Sequence, residues 1–171
     1  MTRRSDVHNP LVEPIVSQWR ELRRVAQEHV ADLSDEQMVG QPVAGIAMNH
    51  PAWVLSHLSA YGPVLAGILR GEPVEDPISH KYGRGSQPLR DASEYLPKNE
   101  LISSFAAAYD DAAIAFAEAT SERLSQPTPI ERWLPRFPTI AYLPGQFLVK
   151  HNAYHLGQLS AWRRASGLPP I

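Results

Sequence analysis

Proline constrains this chain more than any other residue type. Sixteen of its 171 residues are proline, and each one removes a backbone donor and clashes with the carbonyl four residues earlier. Together with the glycines they cluster at 40–51, 71–97, 127–145 and 167–170. Four stretches between these clusters are free to be helical. No run of six or more residues alternates apolar and polar side chains, so no strand is expected.

The four stretches carry helical patterning. The first predicted helix covers about 10–32, with Asn9 as cap, Pro10 in the first turn and Leu11, Ile15, Trp19, Leu22 and Ala26 along one face. The second covers about 51–70 and is the most apolar, capped by His50 or Asn49 and bent at Gly62-Pro63. The third covers about 98–124, where Leu101, Phe105, Ala108, Ala112 and Phe116 form a stripe rich in small residues. The fourth covers about 140–166, with Pro144-Gly145 expected to kink or restart it and Gly167-Leu-Pro-Pro ending it. The expected fold class is all-α, a four-helix bundle forming one domain over 1–171. The connection from 70 to 97 is longer than such a bundle needs, which points to a functional loop or a hidden short element.

Composition narrows the function. Sixteen basic and eighteen acidic residues give a formal charge of −2, which argues against a partner of nucleic acid or anionic membrane. Cysteine is absent, so disulfides, thiolate metal sites and cysteine nucleophiles are excluded. Arg3-Arg4 is followed by polar residues rather than an apolar leader core, and no membrane-spanning stretch is expected, so the cytoplasm is the expected location.

The seven histidines are the remaining chemistry. In His151-Asn-Ala-Tyr-His155-Leu-Gly-Gln158 the two imidazoles are four residues apart and share a helix face, where one metal ion can bridge them. A surface pair is the plain alternative. Phe147, Leu148, Leu159 and Trp162 put that face toward the core, where a polar ring needs a partner: a metal, a carboxylate or buried water. His57, among Trp53, Val54, Leu58 and Tyr61, is the best third ligand, with a hydrogen-bonded core histidine as its alternative. His50 reads as a cap, His29 as a solvated helix end, and His8 and His80 as loop residues. Position 152 is Asn rather than the glutamate of a zincin, and no Glu-x-x-His pair supports a di-iron site. Three imidazoles leave a coordination position open, which can acidify water or polarise a substrate. An all-nitrogen shell suits Zn, Ni, Cu or Co.

Two loops are candidate pocket walls. Lys81-Tyr-Gly-Arg-Gly-Ser-Gln87 lacks a P-loop ending; its glycines let it fold over the bundle, with Tyr82 or Arg84 lining a pocket. Trp133-Leu-Pro-Arg-Phe137 is a pocket rim or a hydrophobic anchor.

The order Trp53-Val-Leu-Ser-His57-Leu, His151-Asn-Ala-Tyr-His155-Leu-Gly-Gln158-Leu, Trp-Arg-Arg and Gly-Leu-Pro-Pro resembles the DinB-like superfamily over nearly the whole chain. The resemblance implies a divalent metal, Zn or Ni first, held by His57, His151 and His155. It also implies an up-down-down-up bundle whose long crossover joins helices two and three, and a homodimer. Gln158, Tyr61, Trp53, Tyr154, Tyr82 and Arg84 are then the candidate pocket or supporting residues. Leu156 departs from the basic residue that often precedes the glycine at position 157 in that family. Relatives include thiol S-transferases, a mycothiol-dependent isomerase and hydrolases. The implied function is a metal-dependent transferase joining a low-molecular-weight thiol to a small electrophile. The alternatives are a metal-dependent hydrolase, a non-catalytic metal- or ligand-binding stress protein, and an interaction module with buried histidines.

Overall fold

In the first predicted helix the expected start is displaced by two residues. A computed structural model describes residues 9–171, and His8 and the Arg3-Arg4 pair lie outside the described residues. Helix α1 spans Val12–Val30. The Asn9 side chain does not cap it; Oδ1 accepts from the Leu11 amide at 3.0 Å, a local turn ahead of the helix. Of the predicted stripe Trp19 and Ala26 are buried, Ile15 and Leu22 are half-buried and Leu11 is exposed, while Val16 and Val30 complete the buried face.

The second predicted helix is two helices. Helix α2 spans Pro51–Ser59 and α3 spans Gly62–Arg70. Pro63 has no N–H to offer the Ser59 carbonyl, so the ladder stops and restarts. His50 caps α2, its Nδ1 accepting from the Trp53 amide at 3.2 Å. Gly71, at φ 83°, closes α3. Taken together, Pro51–Arg70 does have the length and apolarity of a membrane span, at a mean hydropathy of 1.3. That corrects the expectation of no such stretch. Of its most apolar part 78% is buried inside the fold, so protein rather than lipid covers it.

Helix α4 spans Lys98–Glu118, shorter than the predicted 98–124. Ala119 turns extended and Thr120 caps a separate α5, Ser121–Ser125, its Oγ1 accepting from the Arg123 amide. The fourth segment is a composite. A 3₁₀ turn at Ile140–Tyr142 leads to a π-helix over Gly145–His151 and then to α6, Asn152–Ala165. Pro144 cannot donate to the Ile140 carbonyl, which prevents one continuous α ladder there.

Among the described residues the architecture is all-helical, with no strand. Helix α4 packs on α1, α2 and α3, while α1 packs on the π-helix and α6, and α2 on α6. The α3–α4 contact is backbone-close, because a Cβ at Gly62 would meet the Ala108 backbone at 2.8 Å. Trp19, Phe105, Tyr109, Phe116, Leu65 and Leu148 fill the core. Arg163 on α6, 1% exposed, pairs with Asp32 at 2.7 Å and donates to the His29 carbonyl, tying the end of α6 to the end of α1. The 71–97 connection hides two 3₁₀ turns, Pro77–Ser79 and Ala92–Glu94. A bidentate Asp76–Arg132 pair fastens it to the segment before the π-helix.

Candidate metal centre

The structure brings three of the histidines together. His57 comes from the last turn of α2, His151 ends the π-helix and His155 follows one turn later on α6. One ring nitrogen from each lies within 4.8 Å of the others. His57 and His155 are 4% and 7% exposed, and His151 is half-buried. The solvated-pair alternative therefore fails for His151 and His155.

Hydrogen bonds orient the rings. His57 Nδ1 donates to the Tyr82 backbone carbonyl at 2.6 Å, and His155 Nδ1 donates to Gln158 Oε1 at 2.9 Å. Both partners are acceptors, so each Nδ1 carries the proton and each Nε2 keeps its lone pair. His57 Nε2 and His151 Nε2 stand 3.2 Å apart. Tetrahedral bonds of 2.0–2.1 Å separate ligand nitrogens by about 3.3 Å, so this spacing suits a shared ion. His151 Nδ1 is buried with no hydrogen-bond partner.

Burial sets the charge state. His151 is pushed down to about 2, first by burial and then by the neighbouring His155 and His57 rings. His155 is pushed down to about 4 by burial and by His57. His57 is lowered by burial, which outweighs the Tyr82 carbonyl. All three are neutral at pH 7, the form that binds metal.

The surroundings are aromatic. Trp53 stacks on His57 with centroids 4.7 Å apart and an interplanar angle of 11°, and its Nε1 donates to Ser86 Oγ in the connection. Tyr61 lies edge-on to His151 at 4.7 Å, and Phe147 and Trp133 continue that wall. Trp133 is buried in the hydrophobic core against Phe147, so its segment is anchored there.

Other candidates sit elsewhere. Tyr154 is 66% exposed, with its ring edge-on to the outer side of His155, because its helix position turns toward solvent. The Tyr82 ring stacks on Tyr95 and its hydroxyl donates to the Glu94 carbonyl, so its backbone rather than its side chain serves the site. Arg84 is exposed. His29 is buried rather than solvated, bonded to the Val25 carbonyl and Ser160. His50 caps α2 and bonds the Leu89 carbonyl, and His80 lies in the loop. Leu156 is buried in the hydrophobic core.

Sequence reasoning missed two supports. Asn49 Nδ2 donates to Gln158 Oε1 at 3.1 Å, adding a second donor on the oxygen that holds His155. The Tyr82 carbonyl is the other. Asn49 stood out only as a possible cap, and no side-chain pattern marks a backbone acceptor. A cleft of about 360 Å³ lies away from the histidines, between Gln37–Pro42 and Trp162–Leu168, and no titratable side chain lines it.

In comparisons with known proteins, the sequence model described as DinB superfamily matches residues 18–159. That span contains all three histidines and both supports. No curated protein and no solved structure matches the chain significantly.

Proposed function

We propose, from the premise that this chain belongs to the DinB superfamily, that it is a metal-dependent transferase of the thiol S-transferase type. His57, His151 and His155 are its metal ligands, for Zn or Ni first. The observation that carries the reading is the buried trio of neutral imidazoles whose ring nitrogens lie within 4.8 Å. A divalent ion held by these three residues would supply a Lewis acid able to lower the pKa of a low-molecular-weight thiol toward neutrality. The cysteine-free chain needs that source of thiolate.

The residues divide the work. The Tyr82 carbonyl and the Gln158 amide hold His57 and His155 in the tautomer that turns Nε2 inward. Trp53, Tyr61, Phe147 and Trp133 form an apolar wall that excludes water and receives an apolar electrophile. Sulfur bonds to the electrophilic carbon as the leaving group departs with the bonding pair and the thiol proton passes to solvent. Hydrolysis draws less support, because the cluster contains no carboxylate to act as base toward water. The reading takes 1–171 as one bundle domain in up-down-down-up order, with the 71–97 connection as crossover, acting on small molecules as a homodimer.

Metal analysis of untagged protein tests the centre: about one equivalent is expected, lost when His57, His151 or His155 is changed to Ala. Incubation of the loaded protein with bacterial thiols and a halogenated model electrophile tests the reaction. No rate above His151→Ala overturns the transferase reading, and binding without turnover leaves a non-catalytic binder. No metal in any preparation overturns the centre.

A further inference from the structure

Asn152 stands where a zincin carries its catalytic glutamate, yet its side chain turns away from the imidazoles. The residue is 0% exposed. Its Nδ2 donates to the Phe147 carbonyl at 2.7 Å, with a longer contact of 3.4 Å to the Leu148 carbonyl. Both carbonyls belong to the π-helix Gly145–His151. A π turn is rare and of poor intrinsic stability, and persists where side chains fix it, often beside functional residues. On its other side, Asn152 Oδ1 is buried without a partner, and so is the Tyr109 hydroxyl on α4. Helix α4 packs against the π-helix, whose next residue is Asn152. An orphaned buried polar atom costs about 1–3 kcal/mol. One bond from the rotatable Tyr109 O–H to Asn152 Oδ1 would relieve both orphans.

We propose that Asn152 is a positioning residue of the candidate centre: its amide clamps the π turn to Tyr109 and so sets where His151 presents Nε2. The inference rests on the reading of His57, His151 and His155 as a metal centre. The π turn alone separates Phe147, which walls the site, from His151, which ends the turn. Relaxation of that turn to α bonding would rotate His151 relative to Phe147 and to His57.

The test uses the full chain with three changes: Asn152→Leu removes the donor at similar size, Asn152→Asp replaces it with an oxygen facing the Phe147 carbonyl, and Tyr109→Phe removes only the hydroxyl. Cobalt(II) is the probe, with its visible spectrum and its affinity by competition. NMR of the metal-free protein reads the His151 imidazole and amide exchange over 145–151. The Asn152 variants are expected to keep their helical circular dichroism, bind cobalt about 10–100-fold more weakly and change its spectrum. Tyr109→Phe should do the same to a smaller degree. In metal-free Asn152 variants the His151 signals should move and exchange should quicken, while His57 stays fixed. Folded Asn152 variants with wild-type affinity, spectrum and His151 signals overturn the clamp. If both fail to fold, Tyr109→Phe decides, and unchanged binding and His151 signals overturn it. Wild-type protein that binds no cobalt overturns the metal-centre reading instead; the clamp then stands or falls on the metal-free NMR.

Discussion

Gln158 shows how much of the candidate centre depends on residues outside the histidine trio. Its Oε1 accepts from His155 Nδ1 and from Asn49 Nδ2 at once. Gln158→Leu should leave the His155 N–H without an acceptor and weaken metal binding about 10–100-fold, as read by chelator competition; an unchanged affinity would assign the pair a packing role only. The imidazoles themselves predict an acid response. His151 and His155 titrate near 2 and 4 in the fold but near 6.5 when unfolded. Between those values the unfolded chain binds more protons, so stability rises with pH there. Metal-free protein should therefore be most stable above pH 6.5 and lose several degrees of Tm between pH 7 and 5, with weaker loss in His151→Phe, as followed by thermal melts. That His57, His151 and His155 could meet was legible at this scale, from the spacing of four on an apolar face and one histidine in the most buried segment. Tyr154 was not, because helix periodicity smears one residue either way and the adjacent His155 took the inward place.

At the scale of elements, glycine and proline did more than end helices. Gly62 permits α3 to lie against Ala108 with no room for a methyl group. Gly→Ala in an ordinary helix stabilises by about 0.4–1 kcal/mol; here Gly62→Ala should destabilise by about 1–3 kcal/mol through overpacking, measured by urea unfolding. The breaks at 60–61 and 119–120 were only partly legible. Pro63 announced the first, whereas the second depends on Thr120 capping a new turn, one of many Thr and Ser residues with that capacity. The π-helix was not legible at all. Its sequence signal was a Pro144-Gly145 kink, and the i→i+5 pattern needs the Phe147, Leu148 and Asn152 groups already placed by the core.

For the whole molecule, closure of α6 on α1 depends on Arg163, which is buried while its partner Asp32 is half-exposed. Asp32→Asn should cost about 2 kcal/mol, the range for hydrogen bonds to a charged group, and the loss should appear in urea midpoints with the slope unchanged; a neutral result would mean that the His29 and Pro169 carbonyls suffice for the guanidinium. The sequence by itself determined the helical class, the approximate positions of its four segments and the histidines able to meet, because periodicity and proline placement act over one or two turns. Only the tertiary structure decided which nitrogens face one another, which carbonyls and amides hold them, and that an asparagine beside the ligands turns into the core. Those choices are made by groups up to 109 positions apart, as in the Asn49–Gln158 contact, and no local pattern records them.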